Sequence, residues 1–214
     1  MDFNTLCVCG FEPALRGMRL PLKSHDKADS YREENGNFII GPNDYKLMKG
    51  LWKGGTEHRK YLRQIQVWAE ITAPRYWWSE YDTYRIGTNA NSESTMHTLL
   101  KEPFNTSQFE WPPFEGADWD IQAEFNNYID LLKTVRDRAN ELTGENKEKM
   151  QRILKSMLPE SFLQKREVCL NYETLATMYR QRKNHRLPQW SKDFVNWIKT
   201  LPFNEFITGD FTNE

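Results

Sequence analysis

The sequence predicts an α+β protein, with mostly helices around a small sheet. Apolar residues recur at helical spacing in several segments, whereas two segments, residues 65–71 and 162–170, have the pattern of strands. Strands and helices do not alternate regularly as they do in parallel α/β proteins. The length of 214 residues and the 38% hydrophobic content suit one fairly large domain, so we predict a single domain over residues 1–214.

The chain is expected to begin with a strand that holds Cys7 and Cys9 on one face. Residues 19–43 are polar and contain proline and glycine, which predicts loops. Asn43 is then expected to cap a helix that ends at Gly54. The inward-facing residues of this helix would be Leu47, Met48, Leu51 and Trp52.

The segment RQIQVWAEI follows and has the pattern of a half-buried strand. Its alternating apolar residues are Ile65, Val67, Ala69 and Ile71. A helix with Tyr61, Ile65 and Trp68 on one side is the alternative. The strand prediction rests on the strict alternation with longer polar residues.

The next segment is expected to be a helix followed by a polar loop. Thr72 near the cap and Pro74 in the first turn indicate where the helix starts, and Gly87 is expected to end it. The run SEYDTYRIGTNANSES, residues 79–94, would then be a helix end and an irregular polar loop. Trp77 and Trp78, just before it, are expected in the core rather than at an interface.

The second half of the chain is predicted to be mostly helical. Residues 103–119 are rich in proline and aromatic residues, which indicates an ordered excursion or a flexible lid. Amphipathic helices are expected from Ile121 onward and over residues 150–157. Asn171 would cap the helix after the second strand, and Pro188 would open the last helix. That last helix would bury Trp190, Phe194, Trp197 and Ile198.

Charge and cysteine content limit the function classes. The chain has 29 Lys and Arg against 30 Asp and Glu, and its pI of about 6.5 argues against a general nucleic-acid binder. A small anionic ligand in a local basic pocket stays open. The sequence has no apolar run of about 18 residues, which argues against a membrane span. Without a signal-peptide pattern, and with an odd number of cysteines, the protein is expected to be cytoplasmic.

The common catalytic motifs do not occur in the sequence. It contains no GxGxxG, P-loop, HExxH or GxSxG pattern. Cys7 and Cys9 could form half of a metal site, but no second pair follows at the spacing of a zinc site, so we predict no metal. The four histidines are scattered, and a lone histidine is more often a surface residue than a catalyst.

Three polar clusters remain as candidates. The turn GGTEH places His58 at a junction beside glycines that allow close backbone approach, although it can also be a plain turn. In residues 79–94, Arg85 can grip a phosphate while amides and hydroxyls read a base or sugar. The alternative there is a loop that bonds only to itself. In RQRKNHR, Arg182 lies toward the core face, whereas the other basic residues are expected to be solvated and to stabilise a helix end.

Together these clusters resemble the flavin-dependent thymidylate synthases, over roughly residues 45–200. The family has a helix, a Gly-His…Glu-His turn and a strand, as in LMKGLWKGGTEHRKYLRQIQVWAEI, and a Leu-Pro before its late strand, as in Leu158-Pro159. Its late helix begins with Asn and carries an Arg eleven positions on, followed by Gln-Trp. Asn171 and Arg182 have this spacing, and Gln189-Trp190 follow one residue late. This last match is the most specific.

The family signature itself is altered in this chain. The family carries Arg-His-Arg and, seven residues later, a Ser that follows an Asn-Glu. Anchoring on ITAP and Arg-Ile puts Thr83-Tyr84-Arg85 opposite Arg-His-Arg, whereas counting back from Ser94 puts Tyr84-Arg85-Ile86 there. One or both arginines are lost in either register, and Thr95-Met96-His97 replace the usual Gly-Arg-Tyr. The chain would be a divergent branch with rebuilt ligand contacts, compatible with a viral or mobile-element origin.

The resemblance implies an enzyme that methylates C5 of the uracil ring of dUMP. It implies methylenetetrahydrofolate as the carbon source, FAD as the hydride carrier and NADPH as the reductant. Arg182 would bind the pyrimidine and stabilise negative charge that develops on the ring. The implied substrate contacts are Arg85, Glu93 and Ser94. The implied flavin contacts are His58, Asn91 and Asn171. The family also implies a homotetramer with active sites shared between subunits.

Two other functions stay open from the sequence. One is a nucleotide-binding protein that keeps the fold but has lost the flavin. The other is an oligomeric interaction protein whose polar loops make only subunit contacts. Retained flavin would favour the enzyme, whereas a colourless protein that binds dUMP would favour the first alternative.

Overall fold

A computed structural model describes residues 1–111 and 120–211 of the chain, as helices with two small sheets. The strands are β1 (Asp2–Cys9), β2 (Tyr31–Arg32), β3 (Phe38–Ile39), β4 (Gln66–Pro74), β5 (Thr88–Ser92) and β6 (Leu163–Asn171). The main sheet has the order β1–β4–β6–β5. The strands β2 and β3 pair antiparallel, with Tyr31 opposite Ile39. The predicted α+β class is confirmed.

The α-helices form the largest part of the regular structure in the described residues. They are α1 (Phe11–Arg19), α2 (Pro42–Lys53), α3 (Arg75–Tyr81), α4 (Thr95–Thr98), α5 (Ile121–Glu141), α6 (Gly144–Met157), α7 (Tyr172–Arg182), α8 (Val195–Thr200) and α9 (Glu205–Thr208). Short 3-10 turns cover Leu20–Leu22, His25–Lys27, Arg59–Gln64 and Thr106–Gln108. A π-helical turn, Gln189–Phe194, precedes α8. Within the described ranges, no helix is long and apolar enough to cross a membrane.

The chain divides into two compact units. Unit 1 contains Met1, residues 72–83 and residues 91–166. Unit 2 contains residues 2–71, 84–90 and 167–214. The boundaries fall inside β4 and β6 and between two residues of β5. The prediction of a single domain over residues 1–214 therefore stays a prediction.

Unit 1 has its core where α5 packs against α6. The core residues of this unit are Leu99, Phe104, Phe109, Phe125, Ile129, Leu132, Leu154 and Leu158. Aromatic rings strengthen it, since the Phe109 and Phe125 rings meet edge to face at 5.5 Å. Trp77 and Trp78 of α3 are buried, as predicted. The indole Nε1 of Trp78 donates a hydrogen bond to the Gln164 carbonyl at 2.9 Å.

Unit 2 is built around the apolar side of β4 and α7. Ile65, Val67, Ala69 and Ile71 are all fully buried, and the intervening residues are partly exposed. The strand prediction for this segment is confirmed, and the helical alternative is wrong. Helix α7 buries Tyr172, Leu175 and Met178 on the same side. The last helical segment buries Trp190, Phe194, Trp197 and Ile198, as predicted.

The predicted cap of α2 is wrong. Asn43 lies inside the first turn, Gly41 occupies the cap position, and no side chain at that position makes a cap hydrogen bond. Asp29 supplies the acceptors instead, because its carboxylate accepts from the backbone N–H groups of Asn43 at 2.8 Å and Asp44 at 3.0 Å. The capping residue thus comes from a segment fourteen residues earlier, which local sequence rules do not detect.

The region around Pro74 also differs from the sequence-based prediction. Strand β4 continues through Thr72 to Pro74, and α3 begins only at Arg75. The helix ends at Tyr81, before Gly87. Part of the predicted polar loop is strand β5, which lies beside β6 in the sheet. TNANS is a strand because its backbone pairs with β6. Its sequence has no apolar alternation that would indicate a strand.

Other elements extend beyond the prediction or agree with it. The sequence patterns do not predict helix α1 or the β2–β3 pair, and residues 19–43 have the composition of loops. The predicted early strand, the helices from Ile121 and over residues 150–157, and the late strand are all present. Of the predicted excursion over residues 103–119, the part from 112 onward lies outside the described residues.

Candidate functional site

Arg182 lies at the end of α7, with its guanidinium near two aromatic rings. The guanidinium carbon is 4.8 Å from the centre of the Trp190 ring and 5.5 Å from that of the Tyr84 ring. The side chain is half-buried, whereas Arg180 and Lys183 are exposed. The prediction that Arg182 lies toward the core face is therefore confirmed. At these distances the guanidinium can make cation–π contacts with the rings.

The hydroxyl of Tyr84 joins Arg182 to its neighbour on the helix. Nε of Arg182 donates a hydrogen bond to this hydroxyl at 2.9 Å. The hydroxyl in turn donates to Oε1 of Gln181 at 2.8 Å. The Tyr84 hydroxyl therefore donates one hydrogen bond and accepts another at the C-terminal end of α7.

Asn171 forms the other end of α7, where it caps the first turn. Its Oδ1 accepts a hydrogen bond from the backbone N–H of Thr174 at 2.9 Å, as the cap prediction requires. The Thr174 hydroxyl donates to the carbonyl of Ile86 at 3.1 Å. Gly87 lies against the same turn, because a Cβ added there would be 2.4 Å from Nδ2 of Asn171. The loop of residues 84–88 thus contacts both ends of α7.

His58 is exposed in the turn between α2 and the 3-10 turn Arg59–Gln64. Its imidazole packs closely on Gly54, since a Cβ added there would be 3.0 Å from Cδ2 of His58. This contact lies within the turn itself, so the role of GGTEH as a site stays a prediction. Arg59, the next residue, forms an ion pair with Glu173 at 3.1 Å. That pair brings the GGTEH turn beside the first turn of α7, which carries Asn171.

The environment of Glu173 is electrostatically unusual. Burial raises the pKa of its carboxyl above the ordinary value, although Arg59 and Arg63 act in the opposite direction. Its Oε2 is buried and has no hydrogen-bond partner in the described structure, and the same holds for Nε of Arg59. One buried polar atom of each partner therefore lacks a hydrogen bond from the described residues.

The remaining predicted site residues are exposed. Arg85 lies in the loop of unit 2, next to Tyr84. Asn91, Glu93 and Ser94 belong to unit 1, where Asn91 is in β5 and Ser94 precedes α4. Within unit 2, the structure thus places Asn171 and the His58 turn at the N-terminal end of α7 and Arg182 at its C-terminal end. It places the other three residues in the other unit.

Glu93 lines an open cavity of about 430 Å³ within unit 1. Its backbone is fixed there, because its N–H donates to the Lys165 carbonyl and its own carbonyl accepts from Nε2 of Gln164, both at 3.0 Å. The cavity lining combines apolar residues with both signs of charge. It includes Leu99, Phe104, Phe162, Lys101, Glu102 and Lys165.

The three cysteines are all free thiols in the described structure. Cys7 and Cys9 are exposed on β1, and Cys169 is half-buried. Burial raises the pKa of the Cys9 and Cys169 thiols. Among the described residues, no group of three or more His, Cys, Asp or Glu side chains is arranged to hold a metal ion.

Sequence reasoning did not single out Tyr84, Gly87 or Trp190 as residues of the site. A signal existed for Tyr84, because it falls opposite Arg-His-Arg in both registers. The sequence predicts Trp190 only as a core residue and as part of the Gln189-Trp190 pair of the family resemblance. Arg59 and Glu173 carried no local signal, since their pairing spans 114 positions of the chain.

Two solved structures of ThyX, the flavin-dependent thymidylate synthase of Helicobacter pylori, with FAD and dUMP are similar to this chain. One has a TM-score of 0.67 and 17% identity, and the match covers 96% of both chains. The other has a TM-score of 0.68 and 17% identity, covering 96% of this chain and 95% of that one. No protein-family model and no curated protein matches the chain.

The similarity extends over nearly the whole length of both proteins, although few residues are identical. It therefore concerns the fold, the order and arrangement of helices and strands, rather than individual residues. The chain has the fold of the flavin-dependent thymidylate synthases, as its sequence predicts.

Proposed function

We propose that the protein is an FAD-dependent enzyme that methylates C5 of dUMP or of a related pyrimidine nucleotide. The observation that carries the proposal is the position of Arg182 near the rings of Trp190 and Tyr84, on a helix capped by Asn171. The eleven-residue spacing of Asn171 and Arg182 is that of the family resemblance. The fold shared with proteins solved in complex with FAD and dUMP supports the same activity.

Arg182 is the residue to which we assign the catalytic role. Its guanidinium would donate hydrogen bonds to the pyrimidine and stabilise negative charge that develops on the ring. A donor held in place before the substrate arrives is more effective than one that must reorganise. Arg85, exposed on the adjoining loop, would bind the nucleotide phosphate. Glu93 and Ser94 would add further contacts to the substrate.

The residues around α7 fit a flavin by their chemistry. Asn171 and His58 present amide and imidazole groups suited to the carbonyl and ring-nitrogen atoms of an isoalloxazine. The buried Arg59–Glu173 pair between them has polar atoms without protein partners. Asn91 would add an amide. When bound, FAD would supply hydride transfer, with NADPH as reductant and methylenetetrahydrofolate as carbon donor.

The test of this proposal is an absorbance spectrum of the purified protein in the near-ultraviolet and visible range. The spectrum is repeated after incubation with FAD and desalting. Retained flavin bands, followed by turnover of dUMP that is lost in Arg182→Ala, are the expected result. Retained flavin with full turnover in Arg182→Ala would contradict the role of this residue.

The altered signature favours a second candidate function, a nucleotide-binding protein without flavin. Tyr84 stands where the family has part of Arg-His-Arg, so one or both signature cations are missing. Protein that stays colourless after desalting but still binds dUMP would support this candidate. In that case Arg182 would be a ligand contact rather than a catalyst.

We further infer a homo-oligomer, with a homotetramer as the expected state. Strand β1 lies at the edge of the main sheet and is exposed along most of its length, including Leu6 at 47% exposure. Edge strands with exposed apolar residues are commonly covered in an assembly. Light scattering coupled to size-exclusion chromatography would give the mass, and a monomer would contradict the inference.

A further inference from the structure

We propose that Tyr84 is a positioning residue, whose hydroxyl holds the guanidinium of Arg182 in the orientation that receives the pyrimidine nucleotide. This inference rests on the function proposed above and adds a residue to it. It also accounts for the altered signature, because Tyr84 belongs to the triplet opposite Arg-His-Arg in both registers.

The direction of the hydrogen bonds is fixed by chemistry. A phenolic hydroxyl has one proton, and here Oε1 of Gln181, 2.8 Å away, can only accept it. The lone pairs of the hydroxyl then accept from Nε–H of Arg182 at 2.9 Å. Gln181 thus orients the hydroxyl, and the hydroxyl orients Arg182.

The bond uses the Nε–H of Arg182 rather than a terminal amino group. The two Nη groups form the fork with which arginine recognises planar or anionic acceptors. A partner at Nε sets the rotation of that fork without being part of it. The Trp190 ring, 4.8 Å from the guanidinium carbon, provides a second fixed contact. Arg182 is therefore restrained by a hydrogen bond and by a ring.

In the register that puts Tyr84 opposite the first arginine of the signature, an arginine at this position could not make this contact. Arginine has five N–H donors and no acceptor, and its charge would repel Arg182. Tyrosine supplies the acceptor and adds a ring whose centre is 5.5 Å from the guanidinium. The hydroxyl of Tyr84 thus accepts the hydrogen bond that Arg182 donates at the end of α7.

The loop that carries Tyr84 is itself anchored. The hydroxyl of Thr88 donates to the Tyr84 carbonyl at 2.5 Å, and the hydroxyl of Thr174 donates to the Ile86 carbonyl at 3.1 Å. These bonds hold the backbone on both sides of Arg85. Tyr84 is therefore presented to Arg182 by a restrained segment rather than by a free loop.

The test compares wild type with Tyr84→Phe by two measurements. Calorimetric titration with dUMP gives the affinity, and we expect Tyr84→Phe to bind about tenfold more weakly, as for loss of a hydrogen bond to a charged group. Nitrogen-15 NMR of the arginine Nε–H groups follows Arg182 directly, its signal being assigned by its loss in Arg182→Lys. That signal is expected to shift and broaden in Tyr84→Phe without ligand.

Tyr128→Phe is the matched control, because the Tyr128 hydroxyl also donates a hydrogen bond, to the Met157 carbonyl within unit 1. It is expected to leave both the Arg182 signal and the dUMP affinity unchanged. Melting temperatures show whether each variant is folded. An unchanged Arg182 signal or an unchanged dUMP affinity in Tyr84→Phe would overturn the positioning role. A wild-type protein that binds no pyrimidine nucleotide would overturn the proposed function, and with it this role.

Discussion

Arg59 and Glu173 form a buried ion pair, with 3.1 Å between Nη2 and Oε1, that ties the segment after His58 to the first turn of α7. Both side chains are about nine-tenths buried. Arg59 also lies over the Trp52 ring, with 5.3 Å between its guanidinium carbon and the ring centre. His58 comes directly before Arg59 in the chain, and Asn171 comes two residues before Glu173. The ion pair therefore joins the two segments that carry these proposed flavin contacts.

The first prediction concerns Glu173→Gln and its dependence on pH. Because burial raises the folded-state pKa of Glu173, folding favours the protonated carboxyl. The stability that this group contributes is present below the unfolded pKa of about 4.3 and is lost as pH rises through the folded pKa. Glutamine stays neutral throughout. We therefore expect the variant to gain stability relative to wild type as pH rises from about 4 to 7.

Urea unfolding of both proteins across this pH range measures the difference. Glu145→Gln is the matched control, because Glu145 pairs with Lys149 on an exposed helix face at 2.8 Å. Exposed pairs of this kind contribute little to stability. A Glu173→Gln variant that loses stability against wild type as pH rises would show that the pair with Arg59 outweighs burial.

The second prediction concerns Asp44, which pairs with Arg19 inside unit 2. The Asp44 carboxylate accepts from Nε of Arg19 at 2.5 Å, and from the backbone N–H and hydroxyl of Ser30 at 3.0 and 2.6 Å. Burial alone would raise the pKa of Asp44, but the hydrogen bonds from Ser30 and Arg19 lower it below the ordinary value. Asp44→Asn should destabilise the fold by about 3 kcal/mol at neutral pH.

The pH dependence of this effect has the opposite sign to that of Glu173. With a lowered folded-state pKa, the contribution of Asp44 is present above the unfolded pKa of about 3.9 and is lost as pH falls through the folded pKa. The difference between wild type and Asp44→Asn should therefore shrink at acid pH. Asp130→Asn, which breaks an exposed pair with Lys133, is the control. A constant difference across the pH range would contradict the assignment.

Local patterns were sufficient for most of the fold. The alternation in RQIQVWAEI predicts β4 correctly, because every second side chain must be apolar to fill the core. Asn171 predicts the start of α7, since its side chain bonds within its own turn. The eleven-residue spacing to Arg182 then identifies the family fold. Each of these signals is contained within one element.

The features that the sequence did not reveal depend on distant residues. Asp29 caps α2 from fourteen residues away, and Tyr84 meets Arg182 across 98 positions of the chain. Strand β5 exists because β6 is beside it and not because of its own composition. Residue propensities describe one segment at a time, so they do not predict contacts between distant segments.

The third prediction separates the capping role of Asn171 from its role toward a ligand. Asn171→Ala removes the bond to the Thr174 N–H and should cost about 1 kcal/mol of stability. Asp120→Ala removes a similar cap bond, from the Ala123 N–H to Asp120 at the start of α5, and should cost about the same. Only Asn171→Ala should reduce flavin retained after desalting. Equal retention in both variants would limit Asn171 to a structural role.

The last prediction concerns Gly87, which combines a left-handed backbone with a crowded position. Its φ of +73° disfavours any residue with a side chain, and a Cβ there would be 2.4 Å from Nδ2 of Asn171 and 2.6 Å from Oγ1 of Thr174. Gly36 has a φ of +90° with no atom within 4 Å of its added Cβ. Gly36→Ala therefore measures the backbone cost alone, about 1 kcal/mol.

Gly87→Ala should cost clearly more than Gly36→Ala in urea unfolding, because the loop must also move away from the first turn of α7. That movement would displace Tyr84, three residues earlier, so dUMP affinity should fall with Gly87→Ala and stay unchanged with Gly36→Ala. Equal costs for the two variants would mean that Asn171 and Thr174 yield to the added methyl group. Gly87 would then be required for its backbone conformation and not for its contact with α7.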